Sequence, residues 1–377
     1  MGRLAHRANI EAFENLKVER RRGYRATTVP STPATLDYAL KEYGKLPLAR
    51  VLEPAIRLAE GGYAVSELQH RLTRRERKNL RAGTAAPFFL VEGLRPYPTG
   101  AVIQQPVLAQ TLRRLAAEGI DDFYLGEIAS LIEKDMIRND GLIRKDDLAQ
   151  VPRPIERRPI PGRFKGHRLF TMPPPGAGRT LVEMLNIYQE LPGDYTDIET
   201  PRGAARLAET IRFAFVDRRD RPFEASFYTQ VTEKDMLKPE YAKRLASQIK
   251  KKILGHGETT HLSVMDEAGN AVALTQSIEN VYGSCSATPE LGFLYNNYMN
   301  AFEYTDIGHP YYMRPAASPW ASVAPTIVFR GKRPWLAIGS PGSERIRPSI
   351  LQVMIRMQYT TPFEAVEAPR LQGRRLS

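Results

Sequence analysis

The sequence has 377 residues, 42% of them hydrophobic and 25% charged, which is an ordinary globular composition long enough to bury one large core or two. It contains no apolar run long enough to span a bilayer, and its start, Met1-Gly2-Arg3-Leu4-Ala5-His6-Arg7, lacks the apolar stretch of a secretory signal. The lone Cys285 excludes an intrachain disulfide and a thiolate metal cluster, and the six histidines show no ligand spacing, so no metal or cofactor is expected.

The net charge of +12 raises nucleic-acid binding as a reading. Its distribution argues against a specific site. Six acidic and two basic residues lie between Thr259 and Arg330, and the basic excess falls at Arg20-Arg21-Arg22, Arg71 to Arg81 and Arg153 to Arg168. No aromatic-rich motif accompanies these runs, which read as solvated faces. Nonspecific attraction to polyanions that fades with salt is the expected residue of this charge.

In chain order, residues 1–30 are charged and patternless and read as an irregular lead-in. Leu36, Ala39, Leu40 and Tyr43 then recur at helical spacing, with Gly44 as a stop. Val51, Leu52, Ile56 and Ala59 predict a second helix ended by Gly61-Gly62. Residues 70–105 read as a helix and a long loop. Pro106 opens a helix with Leu108, Leu112 and Leu115 on one face, and a further helix carries Ile128, Ile132 and Met136. The Pro- and Arg-rich stretch 151–172 ends in Arg168–Met172, which reads as a strand. Pro173-Pro174-Pro175-Gly176-Ala177-Gly178-Arg179-Thr180 leads into a helix and is structural, because the phosphate-loop pattern GxxxxGK[ST] is absent. Residues 203–218 predict an amphipathic helix with Leu207, Ile211 and Phe215 inward. Residues 232–254 predict a helix and the basic, exposed stretch Lys250-Lys251-Lys252.

The stretch from Glu258 to Asn300 organises the rest. Leu262 and Val264 alternate with His261 and Ser263, and Val272 and Leu274 alternate with Ala273 and Thr275, a hairpin around a Gly269-Asn270 turn. Gly292–Asn297 reads as another strand. Pro325–Phe329 and Trp335–Ile338 form a second hairpin across Arg330-Gly331-Lys332. Gly339-Ser340-Pro341-Gly342-Ser343 is a tight loop, followed by a helix with Ile350, Val353, Met354 and Met357 on one face and a short last helix opened by Pro362.

With Thr259-Thr260-His261 at its head, this arrangement resembles the γ-glutamyltransferase family of N-terminal-nucleophile hydrolases. Tyr43-Gly44-Lys45-Leu46-Pro47-Leu48 and Asp140-Gly141-Leu142-Ile143 are similar to that family's large subunit, and the likeness runs over residues 27–370. The family's strands before Val29 and after Arg370 find no counterpart, which is expected to leave sheet edges without their usual neighbours. Periodicity alone gives a mixed α/β class. The resemblance implies an α+β fold, the four-layer αββα sandwich with antiparallel sheets. It also implies a large-subunit-like region, 1–258, and a small-subunit-like region, 259–377, that begins at the nucleophile.

The resemblance implies self-cleavage of the Glu258–Thr259 bond. The chemistry has a physical reason. A threonine hydroxyl is a weak nucleophile, and a freed α-amino group on the same residue, with an ordinary pKa of about 7.7–8, can serve as its general base. Ser277, eighteen residues on, stands where the family has a hydroxyl that bonds the nucleophile. Gly342 and Ser343 match the Gly-Gly whose amides form the oxyanion hole. The positions that hold a glutamyl amino group in the family are here Glu279, Tyr298 and Ala301, and the paired serines for its carboxylate are Ala321 and Ser322. The chemistry is thus kept and the glutamate clamp altered.

The expected function is a self-cleaving acyl transferase or hydrolase acting on γ-glutamyl amides such as glutathione, with water or an amine as acceptor. Its partners are then a small-molecule amide and the second of its own two cleavage products, in a periplasmic or extracellular setting by resemblance. Two alternatives stand beside it: an amide hydrolase of different acyl specificity, and an uncleaved relative or fragment with a binding role.

Overall fold

The computed structural model describes residues 3–13, 15–151, 156–220 and 259–371. The expected helix in 232–254, the basic stretch before Thr259 and Glu258 itself lie outside the described residues. The chain forms two compact units, one drawn from Met1–Glu156, Ile278–Ile307 and Tyr311–Pro319, the other from Arg157–Ser277, Gly308–Pro310 and Trp320–Ser377.

The first unit is mainly helical. Helix α1 (Thr32–Tyr43) ends at Gly44, and α2 (Leu48–Gly61) ends at Gly62, whose φ of +82° is open to glycine at little cost. Helix α3 (Glu67–Ala82) is capped by Ser66, whose hydroxyl accepts from the Gln69 N–H. Helix α4 (Pro106–Glu118) packs on α2, and α5 (Glu127–Arg138) buries Ile128, Ile132 and Met136, as the periodicity predicts. Those side chains meet Leu115, Phe123, Tyr124, Leu291 and Tyr295 in one core. The buried Asp135 carboxylate accepts from Tyr24 Oη at 2.8 Å and from Thr288 Oγ1 at 2.9 Å, so its charge is not left bare in that core.

The run 292–297 corrects the sequence reading. It is no strand: only Leu294 forms a bridge, to Ala287. Its backbone bonds are irregular, from Tyr295 N–H to the Ser286 carbonyl and from Asn297 N–H to the Ile278 carbonyl. Tyr295, Asn296 and Asn297 are all buried, and the Asn296 side chain bonds Thr28 while the Asn297 amide donates to the Arg21 carbonyl. Side chains buried on both faces mimic an apolar strand in sequence without needing a partner strand.

Among the described residues, the first unit has only two short two-stranded ladders, Tyr63–Ala64 with Val102–Ile103 and Leu90–Val91 with Arg95–Pro96, and the second unit holds the larger sheet. Strands β1 (Ile160–Phe164), β2 (His167–Thr171), β5 (Thr326–Arg330) and β6 (Arg333–Ile338) form an antiparallel sheet in the order β6-β5-β2-β1. Strand β1 was hidden in the sequence by Pro161 and Gly162. An edge position tolerates the proline, and Gly162 lies where a Cβ would press on Leu169 and Val182. Helix α6 (Gly178–Glu190) packs on this side of the sheet, with α7 (Pro201–Asp220) and α8 (Ile346–Arg356) beside it. Together they bury Leu169, Val182, Leu185, Leu207, Ile211, Val328 and Ile350.

The predicted hairpin is present as β3 (Thr260–Met265) and β4 (Ala271–Gln276), turned at Gly269 with φ +86° and held by the Asp266 carboxylate on Asn270. It lies against β5 and β6. Its register pairs Leu262 with Leu274 and Val264 with Val272 on one face, of which Leu262, Val264 and Val272 are exposed. The polar face, with His261, Ser263 and Thr275, is the one turned to the neighbouring loop. No helix among the described residues is long and apolar enough to cross a membrane.

Candidate active site

The register of β3 and β4 sets Thr260 against Gln276, so the next residues outward, Thr259 and Ser277, face each other across the open end of the hairpin. Their hydroxyls stand 3.5 Å apart, at the long limit of a hydrogen bond. The side-chain period of two places both on the polar face of the ribbon, in line with His261 and Thr275.

His261 ties this end of the hairpin to a loop. Its Nδ1 lies 2.8 Å from Thr275 Oγ1 and its Nε2 lies 2.9 Å from Ser263 Oγ, so both ring nitrogens are engaged. The ring rests on Gly339, where an added Cβ would sit 2.2 Å from Nδ1. Gly339 opens the loop to Ser343, so the imidazole sets the distance between the hairpin and that loop. Sequence reasoning gave His261 no role. The signal for one was the pair of hydroxyl residues at its strand neighbours.

At the far end of the loop, Gly342 has φ +115° and Ser343 has φ +52°. The serine therefore occupies the left-handed region, at a cost of about 1–3 kcal/mol for a side-chain-bearing residue. Both residues are buried. Among the described residues, neither the Gly342 N–H nor the Ser343 N–H donates to any acceptor. Buried backbone donors are nearly always paired, and two adjacent ones without acceptors form a receptor for an oxygen that carries negative charge.

Ser322 is buried in the same unit. It lies between two residues clamped by the proline loop: Ala321 N–H donates to the Pro175 carbonyl at 3.0 Å, and Ala177 N–H donates to the Val323 carbonyl at 2.8 Å. The proline run thus places a strand approach rather than a phosphate. Glu279 and Tyr298 belong to the other unit, where Asn297 joins their neighbourhoods. Its N–H donates to the Ile278 carbonyl at 3.2 Å and its Oδ1 accepts from the Asn280 N–H at 3.0 Å. Glu279 has φ +73°, a conformation that Asn or Gly adopts with less strain than Glu.

Burial holds the His261 pKa below its ordinary value of 6.5. The native ring is therefore neutral at pH 7. Below about pH 6.5 the unfolded chain binds a proton at this residue that the native state refuses, so stability falls as pH drops from 6.5 to the native pKa and then levels. Urea midpoints measured at pH 7.5 and pH 5 are expected to fall further for the wild type than for His261→Gln. An equal fall in both would remove His261 from the acid response.

The profile of the family described as Gamma-glutamyltranspeptidase matches residues 2–377. The chain is 32% identical over 373 residues to a Glutathione hydrolase proenzyme of Escherichia coli strain K12, an alignment covering 92% of this chain and 64% of that relative. It is also 32% identical over 362 residues to an Acylase ACY 1 proenzyme of Pseudomonas sp. strain SE83, covering 93% and 64%. The chain thus spans somewhat less than two thirds of the length of these curated relatives. Among solved structures, a cephalosporin acylase from Bacillus halodurans superposes with a TM-score of 0.86 at 27% identity, over 98% of this chain and 70% of that one. That likeness bears out the expected sandwich of helices and antiparallel sheets.

Proposed function

The chain belongs to the gamma-glutamyltranspeptidase family, and from that premise we propose that it is a self-cleaving acyl transferase or hydrolase with Thr259 as its nucleophile. Cleavage of the Glu258–Thr259 bond frees the Thr259 amine and divides the chain into regions 1–258 and 259–377. The amine takes the proton from Thr259 Oγ1 as that oxygen attacks an amide carbonyl carbon. The carbonyl oxygen gains the negative charge, and the N–H groups of Gly342 and Ser343 donate to it. Collapse of the adduct breaks the C–N bond, and the leaving amine departs with the proton that the α-amine held. The acyl-threonine ester then passes its acyl group to water or to an amine. Ser277, beside Thr259, orients the attacking oxygen. The observation that carries this reading is the pair of buried, acceptor-free amides at Gly342 and Ser343, on a loop that rests against His261, two residues from Thr259.

The acyl group is a γ-glutamyl group on the primary reading, taken from an amide such as glutathione, the substrate named for the E. coli relative. A second reading has its own observation. Tyr298 and Ala301 offer no carboxylate or amide where the family holds a glutamyl amino group, Ala321 offers no hydroxyl where it holds the carboxylate, and relatives named as acylases match the chain as well as those named glutathione hydrolase. Of these positions, Glu279 is the one that carries a charge of the sign an ammonium would meet.

The test begins with intact mass and a denaturing gel after incubation near neutral pH. Two pieces, the second beginning at Thr259, are expected. Turnover is then compared on γ-glutamyl and glutaryl anilides, which differ only in the α-amino group. Preference for γ-glutamyl supports the primary reading, and preference for glutaryl supports the second. A single chain without turnover on either would leave a binding role and sink both.

A further inference from the structure

The Gly342–Ser343 peptide is pinned from one side. The Gly342 carbonyl accepts from the Arg345 backbone N–H at 3.0 Å and also from Arg345 Nε at 3.2 Å. The first bond is the turn of the short 3₁₀ helix Ser343–Arg345. The second folds the Arg345 side chain back over the loop, into the space that a Cβ on Gly342 would meet at 3.1 Å from Nε. A glycine at 342 thus serves two ends, a φ of +115° and room for this guanidinium.

A trans peptide is planar, and its C=O and N–H point in opposite directions. Whatever fixes the Gly342 carbonyl therefore fixes the direction of the Ser343 N–H. This plane sits between two residues at positive φ, one of which carries a side chain, so the loop alone favours other orientations by an energy comparable to the strain it stores. Rotation of the peptide by half a turn would direct the carbonyl oxygen to where the N–H now points, replacing a donor with an acceptor.

We propose that Arg345 is the positioning residue of the oxyanion hole: by donating from Nε to the Gly342 carbonyl, it holds the Ser343 N–H toward the charge that develops on the substrate oxygen. This rests on the reading of Gly342 and Ser343 given above. Arg345 does not touch the substrate in this role. It acts on kcat, because the oxyanion exists only in the transition state and intermediate, while ground-state binding of the amide is little affected.

Two variants of the full chain separate this role from charge and packing. In Arg345→Met the side chain runs only as far as the ε position, where a methyl carbon replaces Nε. In Arg345→Gln an amide nitrogen stands at the same number of bonds from the backbone, so the donor returns without the charge. Self-cleavage, thermal midpoint, kcat and KM are measured for both on the better of the two anilides. Complete loss of an oxyanion donor costs about 10²–10³ in rate. Arg345→Met, which loosens one donor rather than deleting it, is expected to lower kcat about 10–10²-fold with KM nearly unchanged. Arg345→Gln is expected to recover most of that loss. An unchanged kcat in Arg345→Met overturns the inference. Equal loss in both variants, or failure of both to fold, assigns Arg345 to charge or packing and overturns it as well. A wild type without turnover removes the oxyanion-hole reading itself, and the inference with it.

Discussion

Thr259→Ala is expected to run as one band on a denaturing gel and to turn over no amide, while folding as the wild type does. The substitution removes the hydroxyl and the γ-methyl of one residue at the mouth of a hairpin whose register and turn do not depend on them. That hydroxyl is asked to do two things. On the proposed reading it attacks the Glu258 carbonyl carbon, the C–N bond breaks to give an ester and free the amine, and water hydrolyses that ester to cut the chain; the same hydroxyl then attacks the substrate. Deleting a hydroxyl nucleophile lowers kcat by about 10⁶-fold in a hydrolase whose binding site is otherwise intact. Thr259→Ser keeps the oxygen and is expected to retain both cleavage and turnover. The assignment does not survive if Thr259→Ala protein still separates into two pieces at this bond, or if it keeps measurable turnover.

The largest stability effect is expected at Arg347. Its side chain is 0% exposed. Its guanidinium is paired with Glu344, three residues earlier, and stacks over the Phe215 ring at 4.7 Å from the centroid. Glu344 lies in the 3₁₀ turn Ser343–Arg345 and Arg347 in the first turn of α8, directly after the Gly342–Ser343 loop. Arg347→Ala leaves the Glu344 carboxylate partly buried without this cation and opens a void beside Phe215. Breaking a buried pair from one side costs about 3–5 kcal/mol. Replacing both partners by apolar residues of similar size, Arg347→Met with Glu344→Leu, is expected to return much of that loss, since neither member of this pair is then left without the other. Urea unfolding of the full chain measures both. A loss below about 1 kcal/mol for Arg347→Ala, the size of an exposed ion pair, would show that the pair is solvated.

Much of this site was legible in the sequence, for definable reasons. The eighteen-residue spacing from Thr259 to Ser277 spans two six-residue strands and a turn, and a hairpin of that length must bring its two flanks together. Helices with apolar residues on one face, such as α4, α5 and α7, declared themselves through the same logic of period. Legibility failed where local pattern and tertiary role diverge. The Gly292–Asn297 run looked like a strand because its side chains are buried all round. Strand β1 escaped notice because Pro161 and Gly162 break its pattern, yet an edge strand beside a tightly packed helix accepts both. The left-handed Ser343 and the folded-back Arg345 could not be read at all. Their conformations are set by how a five-residue loop closes between a strand and a helix, and no periodicity encodes that.

The interleaving of the two compact units has a kinetic consequence. The first unit takes Ile278–Ile307 from beyond the proposed cut, and the second takes Arg157 onward from before it. Within one sheet, β2 from the leading piece pairs with β5 from the trailing piece along Arg168 to Thr171. Scission at Thr259 therefore separates no domain from another. Such a cut would turn an intramolecular sheet into an intermolecular one. Refolding of an uncut chain is a first-order event, but re-forming the cut molecule would require two partners to meet, so its recovery would depend on concentration. Once processed, the molecule is expected to refold poorly after dilution from denaturant, and its persistence is set by its unfolding rate rather than by an equilibrium.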